Sequence, residues 1–173
     1  MNFRVFKTDF SLVIMKYPLI YFAAISFFLG LVINYSLFKN YAYSDAYEFV
    51  WSGHESSNFI DAFIQGGRPL YGYLNEWIFG SLINSIADLK WLRMFSGVTC
   101  IILSIQLFNF LFKTLKWDFL GAGTFAFSVL LLPSFTVYFG WSVTYEIPIA
   151  LNISFLAGVL FLSSLRADKL SIW

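Results

Sequence analysis

Cysteine and histidine are nearly missing from this chain, with one of each in 173 residues. A single Cys100 excludes a disulfide framework and a thiol cluster for a metal. The single His54, in Trp-Ser-Gly-His-Glu, reads as loop structure rather than as part of a zinc site or a hydrolytic triad. Charge is scarce as well. Charged residues make up 12% of the chain, about half the share in an ordinary soluble domain, and a net charge of +1 argues against nucleic acid as a partner. What fills the space is apolar: 59% of residues are hydrophobic and 22% are aromatic. A soluble monomer is excluded.

The apolar residues are concentrated in four stretches without Asp, Glu, Lys or Arg: 17–38, 94–112, 119–145 and 147–165. Each is long enough to cross a hydrocarbon core of about 30 Å as a helix. The expected fold is therefore an all-α membrane protein with four transmembrane helices at 17–38, 94–112, 119–139 and 147–165. A cytoplasmic N-terminus (1–16), a long outer loop (39–93) and a cytoplasmic tail (166–173) complete the plan. The first stretch follows Arg4, Lys7 and Lys16 in the order of a signal peptide, but it is too long and runs on without a small-residue cleavage pattern, so it reads as an uncleaved span. Pro133 should bend or unwind the third helix, and Gly140 to Glu146 should form a tight outer turn rimmed by Tyr138, Trp141 and Tyr145. With the N-terminus inside, seven basic residues fall on inner segments and four on outer ones, which is the orientation that retained Lys and Arg favour. Asn34-Tyr-Ser and Asn152-Ile-Ser match the glycosylation sequon but lie within spans, so both matches are discarded. Gln106 with Asn109, and Asn152 with Ser154, are expected to hydrogen-bond between helices.

The outer loop is the one segment long enough for structure outside the membrane. Ser57 can cap a short helix with Phe59, Ile60, Phe63 and Ile64 on one side, stopped by Gly66-Gly67. From Leu70 to Leu89 a second helix is expected. Leu70, Tyr73, Leu74, Trp77, Ile78, Leu82, Ile86 and Leu89 form its apolar side, with Asn75, Glu76, Asn84 and Asp88 mostly opposite. It can lie in the membrane interface or pack on the spanning helices, and the pattern leaves both open.

Three sets of polar residues could carry chemistry there. Asp45 stands seven positions beyond the first span, among aromatic residues, with Glu48 one helical turn on. Together they could serve as a base or a metal-binding pair, or simply as acids at a helix start capped by Ser44. Gly67 and Arg68, in Gly66-Gly-Arg-Pro-Leu70, combine a flexible backbone with a guanidinium suited to phosphate; the alternative is a turn with a solvated arginine. Glu146, at the outer end of the fourth span, needs a partner at that depth, and Arg68 and Arg93 are the candidates.

This order of elements resembles the start of the GT-C-type glycosyltransferases, membrane enzymes that use polyprenyl-phosphate sugars. Tyr43-Ser-Asp-Ala-Tyr, followed by Gly-Gly-Arg68-Pro-Leu-Tyr, is similar to the first outer loop of the Gtr-type glucosyltransferases that modify bacterial O-antigen. The resemblance implies glucosyl transfer from a polyprenyl-phosphate donor in the membrane to a saccharide acceptor at the outer face of the bacterial inner membrane. Asp45 would be the base and Arg68 would neutralise the phosphate, while Tyr41, Tyr43 or Trp51 would stack on sugar rings, with a donor synthase and a flippase as pathway partners. The family usually pairs acids after the first span. Here Ala46 follows Asp45, so Glu48 would have to supply the second carboxylate, with or without a divalent cation. Family members are also longer, so the chain is expected to be the N-terminal part of a longer enzyme and inactive alone. The competing expectation is a small non-catalytic membrane protein, flippase-like or an assembly subunit.

Overall fold

A computed structural model describes residues 17–33, 35, 39–42, 46–55 and 58–170, and among them every regular element is helical. The α-helices are α1 (Pro18–Ile33), α2 (Ala46–Glu55), α3 (Asn58–Gln65), α4 (Pro69–Ser81), α5 (Leu89–Asn109), α6 (Phe119–Leu130), α7 (Pro133–Gly140) and α8 (Glu146–Leu170). Among the described residues two continuous helical segments are long and apolar enough to cross a membrane, Ile86–Thr114 and Ser142–Leu165. The α6–α7 pair makes a third if it counts as one broken span. The 16 residues of α1 reach about 24 Å at 1.5 Å per residue, short of the hydrocarbon thickness.

α5 is the hub, packed on α1, α6, α7 and α8. Phe22 of α1 stacks on Phe108 at 4.3 Å between ring centroids, and Ala122 and Ala126 of α6 are buried in the same cluster. Small polar side chains tie the helices where no water can satisfy a backbone carbonyl. Ser104 donates to the carbonyl of Ala126 at 2.7 Å and Ser96 to that of Tyr138 at 2.6 Å. Asn152 donates to Thr99 across the α5–α8 contact at 2.9 Å. The interhelical bond expected of Asn152 is thus present, whereas Ser154 is exposed and the side-chain oxygens of Gln106 and Asn109 are buried without a hydrogen-bond partner among the described residues.

The proline acts as its chemistry requires. Leu132 is extended, at φ −62° and ψ 141°, because the ring of Pro133 crowds the helical conformation of the residue before it. Helix α6 ends at Leu130, and α7 departs at 57°. At the other end of α5 a wider turn, Phe110–Thr114, leads to Lys116 in the left-handed region at φ 59°. The outer turn is a short helical turn, Ser142–Thr144.

The outer layer corrects two boundaries. The helix expected from Leu70 to Leu89 stops at Ser81. Asp88 folds the connection back, accepting from Ser85 Oγ at 2.8 Å and from the Asn84 N–H at 3.2 Å. The helix that carries the second apolar stretch begins earlier than residue 94, at Leu89 or at the preceding turn from Ile86, and takes in Lys90 and Arg93. The third correction concerns faces. Ile78 and Phe79 of α4 are buried with Ala46 and Phe49 of α2, Leu89 and Leu92 of α5, and Val143 and Tyr145 of the outer turn. Asn75, expected on the polar side, is fully buried, while Leu70, Tyr73 and Trp77 are exposed by 83%, 56% and 58%. The helix has one face in the core and a second apolar face open.

Candidate functional site

Arg68 is placed by backbone geometry. At the end of α3 the N–H of Arg68 bonds the carbonyl of Phe63 at 2.8 Å and that of Gly67 bonds Ile64 at 3.0 Å, the paired pattern that closes a helix on a left-handed residue. Gly67 is that residue, at φ +74° with open space around it, so its freedom is used where any side chain would be strained. Pro69 then starts α4, its missing N–H costing nothing in the first turn. The arginine between them is exposed, at the corner joining the two helices.

One turn further on, α4 meets the start of the last helix. The Tyr71 hydroxyl donates to the carbonyl of Val143 at 3.0 Å. Asn75 donates to the carbonyl of Tyr71 at 2.9 Å, and the hydroxyl of Tyr145 reaches its Oδ1 at 3.3 Å. These contacts bring Glu146, the first residue of α8, to the N-terminal part of α4. Its side chain is half-buried, and its Oε2 is buried with no hydrogen-bond partner among the described residues. Arg68 lies within electrostatic reach of Glu146, yet no ion pair of 4.0 Å or less joins them. Burial, and then the nearby carboxylate of Glu146, push the Tyr71 phenol up to about 12.

Of the two arginines expected as partners of Glu146, the structure brings up Arg68 and engages Arg93 elsewhere. Arg93 is fully buried. Its guanidinium donates to the carbonyl of Tyr41 at 2.9 Å and to that of Lys39, and it lies over the Tyr41 ring, 4.2 Å from the centroid. The Tyr41 hydroxyl in turn donates to Gly140 at 2.8 Å. Tyr41 is thus a structural clamp, its ring covered by a cation on one side. Beside it lies an open cavity of about 610 Å³, lined by Tyr41, Thr136, Val137, Gly140 and Trp141. Arg93 is the residue that sequence reasoning undervalued. The available signal was a cation heading an apolar helix, which needs partners at that depth.

The other expected site residues are dispersed or lie outside the described residues. Asp45 and Tyr43 are in the second group. Glu48 stands exposed in the first turn of α2, and Trp51, three positions on, is 70% exposed. Gly67 and Arg68 are together, and Glu146, far along the chain, comes within electrostatic reach of Arg68 without an ion pair. Among the described residues no three His, Cys, Asp or Glu side chains converge to hold a metal ion, so no divalent-cation site is built from them.

No family model, curated protein or solved structure matches this chain.

Proposed function

We propose that this chain handles a lipid-linked sugar phosphate at the outer membrane surface and takes part in glucosyl transfer to a saccharide such as O-antigen, as a GT-C-type glycosyltransferase would. The observation that carries this reading is the surroundings of Arg68. An exposed guanidinium stands at a glycine-proline corner, next to Leu70, Tyr73 and Trp77, whose side chains are open on the same short helix. Phosphate recognition by a planar fork of donors, beside an apolar face fit for the lipid boundary, is the chemistry a phospholipid-borne sugar requires. On this reading α4 lies in the interface, the N-terminus is cytoplasmic, and the chain has four spans in the bacterial inner membrane.

The reaction is a displacement with inversion. Asp45, with Glu48 as the second acid, takes the proton of the acceptor hydroxyl as its oxygen bonds to the anomeric carbon. The bond from that carbon to the phosphate oxygen breaks, and Arg68 neutralises the charge that develops on the phosphate. Asp45→Asn and Arg68→Lys each test one half of this division. Each is expected to lower transfer of labelled glucose in membranes carrying the native gene product by at least about tenfold, with expression unchanged. Near-parental transfer by Asp45→Asn would sink the base assignment. No transfer by the native protein itself would favour a small non-catalytic membrane protein.

A further inference from the structure

The break between α6 and α7 sets a cavity beside the spanning helices. The two helices together are long and apolar enough to cross a membrane, and they meet at 57°. Where α7 ends, it encloses with the chain at Tyr41 a cavity of about 610 Å³, lined by Tyr41, Thr136, Val137, Gly140 and Trp141, a size typical of a ligand site. Thr136 and Val137 are exposed on α7, so the cavity is open along a helix that faces lipid on the membrane reading. Its walls offer little to a polar ligand. Among the described residues no charged side chain lines it, and its hydroxyls are engaged. Tyr41 donates to the carbonyl of Gly140 at 2.8 Å and Thr136 to that of Pro133 at 2.7 Å, while the backbone N–H of Trp141 donates to Val137 at 2.8 Å. A sugar or a phosphate seated there would give up water for few hydrogen bonds in return. A hydrocarbon chain gives up nothing polar and gains dispersion contacts with two aromatic rings and Val137.

We propose that this cavity is a phospholipid site, in which one acyl chain lies along α7 between Tyr41 and Trp141 and the anionic headgroup is met by Lys39. Size favours this occupant. A methylene group fills about the volume of a water molecule, roughly 30 Å³, so the cavity accommodates one acyl chain of about 16 to 18 carbons and only part of a longer polyprenyl chain. Charge points the same way. The guanidinium that holds the carbonyl of Tyr41 also holds that of Lys39, so a cation is carried on the same short stretch of chain as the cavity wall. Lys39 is exposed and makes no ion pair among the described residues. An ammonium beside an apolar cavity suits an anionic phospholipid better than a zwitterionic one. The site is distinct from the corner at Arg68 and does not rest on the glucosyl-transfer reading.

The test uses the full chain, purified in mild detergent and stripped of lipid. Phosphatidylglycerol, phosphatidylcholine, undecaprenyl phosphate and glucose 1-phosphate are added singly and in competition, and native mass spectrometry counts the molecules retained per chain. Phosphatidylglycerol should be retained at about one per chain and more strongly than phosphatidylcholine, by about fivefold for one exposed cation. Glucose 1-phosphate should not be retained. Val137→Trp fills the cavity from an exposed position and forfeits on the order of ten carbon contacts to the chain, so it should weaken phosphatidylglycerol about tenfold. Leu132→Trp, comparably exposed but outside the cavity, should leave retention unchanged. Val137→Phe, a smaller fill, serves should the tryptophan variant fail to insert. Thr136→Val removes a hydroxyl at nearly constant shape and should also change nothing. Lys39→Ala should erase the preference for phosphatidylglycerol. Undiminished retention by a folded Val137 variant would overturn the cavity as the site, and a loss on Thr136→Val or retention of glucose 1-phosphate would overturn a hydrocarbon occupant. Displacement of phosphatidylglycerol by equimolar undecaprenyl phosphate would overturn the phospholipid as occupant, and equal retention of the two phospholipids would overturn the part given to Lys39.

Discussion

Arg93 covers the ring of Tyr41 from 4.2 Å and holds the carbonyl of that same residue at 2.9 Å. One side chain at the head of α5 thus holds Lys39 and Tyr41, which precede the outer helices, and Tyr41 passes the constraint on to Gly140 at the end of α7. A fully buried guanidinium is costly unless its donors are used; here two carbonyls and an aromatic face take up its two terminal nitrogens and one face, while Nε has no hydrogen-bond partner among the described residues.

Loss of this clamp should be felt in stability before chemistry. Arg93→Ala is expected to cost about 2 to 4 kcal/mol, because it removes hydrogen bonds from a charged group and a cation–π interaction at the same time. Arg93→Lys should recover less than half, since an ammonium lacks the planar fork that reaches both carbonyls. Unfolding in mixed micelles, followed by circular dichroism, measures both. A lysine variant as stable as the native chain would show that charge alone suffices.

Lys116 carries backbone strain with no glycine to absorb it, at φ 59° after the wide turn at Phe110–Thr114. Replacing it by glycine should raise stability by about 0.5 to 1 kcal/mol, because a Cβ is disfavoured in that conformation. Lys116→Ala keeps the Cβ and removes the same charge, so it should show no such gain in the same micelle titration.

The phenol of Tyr71 is held up to about 12, by burial first and the charge of Glu146 second, against about 10 in an unfolded chain. A folded value above the unfolded one favours the protonated form. The contribution is therefore present below about pH 10 and lost as pH rises through 12. The unfolding midpoint of the native protein should fall more steeply between pH 10 and 12 than that of Tyr71→Phe. In Glu146→Gln the phenol should titrate at lower pH, and no change there would show that the carboxylate does not act on it.

Sidedness is open to direct chemistry because Cys100, the one native thiol, is fully buried. Asp61→Cys, in α3, and Lys113→Cys, after α5, are both at exposed positions. An impermeant thiol reagent should label the first in intact cells and the second only after permeabilisation. The reverse pattern would invert the topology drawn from the basic residues.

Local features of the fold were legible from the residues because each depends on near neighbours. Pro133 breaks the third apolar stretch through its own ring and missing N–H, Gly66-Gly67 ends α3 through a φ that glycine tolerates, and Gly140 to Glu146 turns between two runs too apolar to leave the membrane. Apolar periodicity likewise located α4 but misjudged what faced the core. Its pattern contained two apolar sides, and which one is covered depends on Phe49, Val143 and Tyr145, residues distant in sequence that no local period can report. The same holds for polar groups. Asn75 reads as a surface amide until Tyr71 and Tyr145 enclose it, and Arg93 reads as a flanking charge until the carbonyls of Lys39 and Tyr41 reach it. From the residues alone, the approach of Arg68 to Glu146 is only one of two possible pairings. Sequence sets which groups need a partner, since burial and charge are properties of the residue and its span; only tertiary packing decides which partner arrives, because that choice is made by the geometry of helices joined far along the chain.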